Sequence, residues 1–164
     1  MTSRERVLAA FEHRAPDRTP IWEKLIKSPV ADDILGRPCA ASNHDYRMER
    51  LAEGDWEGLM LQTARDEVDL TKVLGFDMIR LYPNPLPPAE RPVRVNETTW
   101  RTGNVYQERL ASGWIRSWVA DQKPVPEEER EAATRGSLQE PPPGPGEMDE
   151  RSFLVLREGR RIIA

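Results

Sequence analysis

The sequence predicts an α/β protein that carries an inserted antiparallel β-hairpin or meander. Residues 55–74 place apolar side chains at helical spacing, end at a glycine and lead into the apolar run 76–82. A helix, a glycine stop and a short buried strand are the components of an α/β repeat. After Pro92 the pattern changes to period two, and turn signals at residues 103–104 and 112–113 separate short strand-like runs.

The remaining elements are predicted from caps and short apolar runs. A first helix is expected to begin after Thr2, because Glu5 gives the spacing of a capping box. Residues 19–25 and 153–156 are expected to be strands. Ser28, which is followed by a proline, is expected to cap a second short helix.

Proline content divides the chain into three parts. Residues 121–150 hold six of the fifteen prolines and nine acidic against three basic side chains. Such a segment cannot bury enough apolar surface to offset the entropy lost on ordering, so it is predicted to be a linker or mobile insertion. Residues 1–120 are then the main folded part, and residues 151–164 a short terminal β segment that looks truncated.

Composition excludes several classes of protein. The net charge is −4, from 24 basic and 28 acidic side chains, so no basic surface is expected to bind nucleic acid. No stretch approaches the roughly 20 apolar residues of a membrane span, and no apolar signal-peptide core is present, which favours a cytoplasmic location. Cys39 is the single cysteine and cannot form an internal disulfide.

Several segments follow one another in a characteristic order. Ser-Arg-Glu-Arg-Val-Leu-Ala-Ala-Phe occupies positions 3–11, His13 follows, and Ala-Pro-Asp-Arg-Thr-Pro-Ile-Trp occupies positions 15–22. With Ile-Leu-Gly-Arg-Pro at 34–38 and Leu-Gly-Phe-Asp-Met-Ile at 74–79, they resemble the N-terminal half of the uroporphyrinogen decarboxylase superfamily. The resemblance implies a (β/α)₈ TIM barrel. Because such a barrel needs about 250 residues, this chain would supply its N-terminal two or three β/α units.

The resemblance extends over roughly residues 1–120, and the family has two branches. One decarboxylates uroporphyrinogen in porphyrin biosynthesis without a cofactor; the other transfers methyl groups to or from corrinoid and thiol carriers and uses zinc. Trp22 is followed by residues 23–29 without the arginines of the decarboxylases, and residues 81–84 lack their carboxylate. We therefore expect the full-length protein (the parent) to be of the methyltransferase type, and this chain alone to be inactive.

Two alternatives stay open at this point. One is a true uroporphyrinogen decarboxylase; the other is a non-catalytic remnant that acts through a partner chain. Zinc and a corrinoid are expected only for the full-length parent, since its zinc ligands would lie in the other half, and no cofactor is expected in this chain. The expected partner is a small molecule, either a tetrapyrrole or a methyl donor or carrier, and self-association into a homo-oligomer is a further possibility.

The expected substrate-binding residues follow the two predicted strands. Trp22 and Glu23 would stand at the C-terminal end of the first strand, and Arg80 and Asn84 near the end of the second. Barrel sites form at these ends, so the resemblance implies a substrate-binding role for all four residues. No residue is assigned a catalytic role.

Other polar residues are better explained without a ligand. Lys24 and Lys27 are expected on the solvated surface, although they could replace the missing arginines. Cys39 and His44 lie in a loop-like stretch and provide too few ligands for zinc. The three tryptophans of the period-two region are expected to pack across strands.

Overall fold

The structure is a computed structural model that describes residues 1–120 and 150–163. The linker predicted at residues 121–150 therefore lies outside the described residues, except for its last position. The described helices are α1 Ser3–Phe11, α2 Val30–Leu35, α3 His44–Glu53, α4 Trp56–Leu74 and α5 Leu154–Ile163. A 3₁₀ turn, Glu150–Phe153, precedes α5. The described strands are β1 Val93–Arg94, β2 Thr99–Thr102, β3 Val105–Arg109 and β4 Ile115–Val119.

Helix α1 begins with the capping box that the sequence predicts. The backbone N–H of Glu5 donates to the Thr2 hydroxyl at 3.2 Å, and the backbone N–H of Thr2 donates to the Glu5 carboxylate at 2.8 Å. Both bonds satisfy N–H groups that have no partner within the helix. After the helix, His13 adopts a positive φ of 54° and its backbone N–H donates to the carbonyl of Ala10.

Helix α4 is the central element, and its prediction from periodicity is confirmed. Leu59, Met60, Ala64 and Val68 are buried along one face, as a 3.6-residue period requires. Met60 and its neighbours pack with Ala40 and Val155 in one cluster of buried side chains. The helix ends at Gly75, whose φ of 67° is the left-handed conformation that favours glycine.

Helix α2 forms where it is predicted but without the predicted cap, and α3 is a helix that is not predicted. Ser28 does not cap α2, because its hydroxyl donates to the side chain of Asp32 at 2.5 Å and no side-chain cap is present. The stretch interpreted as loop-like around His44 is instead the start of α3. Asn43 caps that helix by accepting a hydrogen bond from the N–H of Tyr46 at 3.0 Å.

The terminal strand predicted at residues 153–156 is wrong, because Phe153 ends the 3₁₀ turn and residues 154–156 begin α5. A short apolar run does not distinguish a buried strand from a buried helix. Val155 and Gly159 are buried one helical turn apart, and Gly159 lies against the side chain of Leu81. Together with Ile162, partly buried one turn further on, they form a helical stripe.

The two strands predicted at residues 19–25 and 76–82 are not formed as regular strands. The segments lie side by side, and the N–H of Asp77 donates to the carbonyl of Ile21 at 2.9 Å. The N–H of Ile21 donates at 3.0 Å to the side chain of Asp77 rather than to a backbone carbonyl. This side chain takes the place of a second ladder bond, so the described residues combine helices with an antiparallel sheet only.

The predicted meander is confirmed and has four strands in the order β1-β2-β3-β4, all antiparallel. One face of this sheet packs on α3, where the indole N–H of Trp100 donates to Asp45 at 3.1 Å and Arg109 forms a salt bridge with the same carboxylate. On the other face Tyr106 stacks on Trp118, with ring centroids 5.4 Å apart. The predicted cross-strand packing is thus present for this pair.

Candidate functional site

A cavity of about 230 Å³ lies among α3, α4, α5 and the two extended segments, which are residues 19–25 and 76–82. Its wall is mostly apolar, and the side chains of Met60 and Val155 form the part nearest the core. The other apolar and aromatic lining residues are Leu25, Ala41, Leu81, Tyr82, Pro83 and Pro85. Concave, largely apolar surfaces with a few polar groups are typical of small-molecule sites.

Three cationic side chains line this cavity: Lys24, Arg47 and Arg80. Within the described residues, none of the three forms a salt bridge, whereas Arg6 and Arg37 each pair with two carboxylates. Glu67 is the one acidic residue among those that line the cavity. The wall of this cavity therefore carries an excess of positive charge in a chain whose net charge is −4.

Arg47, on α3, is the most enclosed of these cations. Its Nη1 donates to the carbonyl of Ala40 and, at 3.3 Å, to the hydroxyl of Thr63. Burial lowers the pKa of Arg47, but a guanidinium stays protonated at neutral pH. A buried charge is costly unless it is paired, and these two neutral acceptors leave most of its donors available.

Glu67 lies on the same stripe of α4 as Met60 and Thr63, which places all three on the cavity wall. Burial, with a smaller contribution from the charge of Asp66, raises the pKa of Glu67 to about 7. The side chain therefore carries a proton for part of the time at neutral pH. It can then donate a hydrogen bond as well as accept one.

The structure brings together two of the four residues that the sequence predicts to bind substrate. Arg80 and Asn84 both line the cavity, while Trp22 and Glu23 do not. The Arg80 guanidinium lies over the ring of Tyr82, 3.7 Å from its centroid. Trp22 is 42% exposed, and the Glu23 carboxylate accepts a hydrogen bond from the N–H of the following residue. Lys24, expected on the surface, is exposed and lines the cavity together with Leu25 of the same segment.

Asn84 lines the cavity but uses its polar atoms elsewhere. Its Oδ1 accepts from the N–H of Val155 at 3.1 Å, and its Nδ2 donates to the carbonyl of Arg151 at 3.0 Å. Its backbone N–H donates to the carbonyl of Ser152 at 2.8 Å. Asn84 therefore holds the start of α5 in place as the cavity's back wall, and substrate binding by this residue stays a prediction.

The sequence does not predict Arg47 and Glu67, which are the most enclosed cation and the one acidic residue of the cavity wall. Arg47 belongs to a helix that was not predicted, so its position could not be inferred. The position of Glu67 could have been inferred from the sequence, because its spacing of seven from Met60 places both residues on one face of the predicted α4.

Within the described residues, no group of three or more potential ligands is placed to hold a metal ion. Cys39 is buried beside Ala31 and Leu70, and burial raises the pKa of its thiol. His44 lies at the start of α3, and burial lowers the pKa of its imidazole. The described residues therefore give no fit to zinc, and the zinc and corrinoid expected for the parent stay predictions about the full-length protein.

The chain was compared with protein-family models, with curated proteins and with solved structures. No match was found in any of the three. Among the described helices, none is long and apolar enough to cross a membrane.

Proposed function

We propose that this chain is the N-terminal part of an enzyme of the uroporphyrinogen decarboxylase superfamily, and that the cavity belongs to the substrate site of that enzyme. The parent is of the methyltransferase type, and its substrate is a methyl donor or carrier. The proposal includes the (β/α)₈ barrel fold of the parent as well as its family and its activity.

The observation that carries the proposal is the contact between Ile21 and Asp77. These residues come from the two separate segments whose sequences resemble the family, and their backbones and the Asp77 side chain are hydrogen-bonded to each other. Lys24 and Arg80 each follow three positions later, and both line the same cavity. An equal offset in the same direction is what two neighbouring parallel strands would give, and parallel strands build the barrel of this family.

The residue types of the two segments favour methyl transfer over decarboxylation as the chemistry of the parent. Decarboxylation of a substrate with several carboxylates needs bidentate guanidinium partners on the first segment, and Lys24 cannot form them. In the second segment, Asn84 stands where a carboxylate would be needed, and its amide is bonded to the terminal segment. The decarboxylase therefore stays the second choice.

The non-catalytic remnant is favoured by one different observation. Phe11 is 75% exposed and Trp114 65% exposed, which leaves large apolar side chains on the surface of the described chain. Such side chains would be covered if a partner chain paired with this one. Light scattering tests this alternative, because a sharp and stable oligomer supports it. A monomer in light scattering that also unfolds cooperatively in a denaturation experiment contradicts it.

The transcript beyond the codon for Ala164 tests the main proposal. We expect the reading frame to continue into a β/α pattern that contains a histidine and two cysteines. The encoded protein should then transfer a methyl group between a methylated corrinoid and a thiol. Formation of coproporphyrinogen from uroporphyrinogen by that protein would instead support the decarboxylase. A stop codon with no barrel-like sequence after it would contradict both enzymes.

A further inference from the structure

Within the described residues, the cavity combines an apolar wall with unpaired positive charge. Its wall is apolar around Met60, Leu81 and Val155, and it carries three cations that have no carboxylate partner among the described residues. An apolar environment lowers the local dielectric, which makes an unpaired charge more costly than in water. A ligand that brings a negative charge into this cavity removes that cost.

The positions of the charged groups indicate how such a ligand would lie. Arg47 is the most enclosed cation. Thr63, whose hydroxyl accepts a hydrogen bond from Arg47, lies on the same part of the wall. Arg80 and Lys24 stand on the two extended segments, and Lys24 is exposed. The apolar side chains line the space that remains.

We infer that the cavity binds a compact monocarboxylic acid, with its carboxylate on Arg47 and its apolar body against Met60, Leu81 and Val155. A carboxylate suits a guanidinium because two parallel N–H···O bonds can form. The cavity, at about 230 Å³, has room for a compact ligand such as benzoate.

This inference goes beyond the proposed function and does not depend on it. Arg47, Thr63, Met60 and Val155 all lie outside the motifs at positions 3–22, 34–38 and 74–79 on which the resemblance to the family rests, and their charge, burial and contacts carry the inference. Failure of the family proposal would therefore leave the acid site unaffected. Failure of the acid site would leave the transcript test unaffected.

Binding of benzoate to the purified chain tests the inference, measured by titration calorimetry. We expect benzoate to bind at least about ten-fold more tightly than benzamide, which has the same shape without the charge. We also expect it to bind at least about ten-fold more tightly than acetate, which lacks the apolar body. Equal affinity for benzoate and benzamide, no measurable benzoate binding, or tighter binding of inorganic phosphate would each overturn the inference.

Variants locate the site on the chain. Arg47→Gln should weaken benzoate binding at least about ten-fold, and Arg80→Gln should weaken it by less. Arg101→Gln makes the same charge change on an exposed residue of β2 and should leave the affinity unchanged. Because Arg47→Gln could also affect folding, a second variant adds volume inside the cavity. Thr63→Leu should block benzoate while the four-stranded sheet stays intact by circular dichroism. Unchanged binding in both Arg47→Gln and Thr63→Leu would overturn the assignment.

Discussion

Arg6 and Asp77 are 71 residues apart in the chain and are joined by a 2.5 Å hydrogen bond between Nη1 and Oδ1. The same guanidinium binds Asp17 at 2.6 Å, and Arg18 binds the other oxygen of Asp77 at 2.6 Å. The Asp77 side chain has no exposed area, and Arg6, Arg18, Ser3 and the N–H of Ile21 stabilise its charge. This network fixes the segment after α1 against the segment after α4.

Breaking this network should destabilise the fold. Burial alone would raise the pKa of Asp77, but the N–H of Ile21 and the guanidinium of Arg6 hold it down at about 2. Asp77→Ala removes that carboxylate and leaves the Arg6 charge without one of its two partners. We expect the urea midpoint of unfolding to fall several times further than for Arg14→Gln.

The control for this prediction is an exposed ion pair. Arg14 pairs with Glu12 where both side chains are more than half exposed, and such pairs contribute little to stability. If Asp77→Ala and Arg14→Gln lowered the midpoint equally, the network would have no special role in holding the two segments together.

Two features that depend on local chemistry are predicted correctly, whereas the cap predicted at Ser28 is wrong. The capping box at Thr2 and the apolar stripe of α4 act within one helix, so the sequence contains all the information needed. The segments 19–25 and 76–82 were predicted as strands because they are apolar and lie between turn residues. They are not regular strands, because the side chain of Asp77 accepts the hydrogen bond that a backbone carbonyl would accept in a ladder.

The candidate site was predictable only in part, for a similar reason. Arg80 and Asn84 are predicted from their places near the end of the segment 76–82 in a pattern that resembles a family, and both line the cavity, while substrate binding by them stays a prediction. Arg47 reaches the cavity through the packing of α3 on α4, and no short-range pattern in the sequence encodes that contact. Residues that meet through tertiary packing, such as Arg47 and Thr63, need the fold before they can be named.

Trp100 should connect the sheet to α3. It is 4% exposed, and its indole N–H donates to the Asp45 carboxylate, which also binds Arg109. Trp100→Phe removes this hydrogen bond to a charged group and should cost about 1.5–3 kcal/mol of unfolding free energy in urea titrations. Trp114→Phe is the matched control, because Trp114 is largely exposed and should cost less than about 1 kcal/mol.

Asn84 should anchor the terminal helix. Asn84→Ala leaves the buried N–H of Val155 without its acceptor, and an unsatisfied buried donor costs about 1–3 kcal/mol. In this variant we expect amide hydrogen exchange to become faster than in the native chain in α5 but not in α4, because α5 would open without unfolding of the whole chain. Asn96→Ala removes an acceptor for the N–H of Thr98 in an exposed turn, where water can replace it, and should leave exchange in α5 unchanged. Uniform acceleration across both helices in Asn84→Ala would argue against a local anchor.

Glu67 should make the stability of the chain depend on pH in a specific window. Because burial raises its pKa to about 7 from 4.5, the folded chain retains a proton that the unfolded chain has already released between these two values. Stability from this group is therefore lost as the pH rises from about 4.5 to about 7. The charged groups that share its cavity are Lys24, Arg47 and Arg80, and Asp66 is its neighbour on α4.

Glu67→Gln should remove this part of the pH dependence, so the variant gains stability relative to the native chain at pH 7.5 but not at pH 4.5. Urea unfolding at both pH values measures the difference, and Glu53→Gln, an exposed residue at the end of α3, provides the control. If the native chain and Glu67→Gln had parallel profiles, Glu67 would not be protonated in the folded cavity.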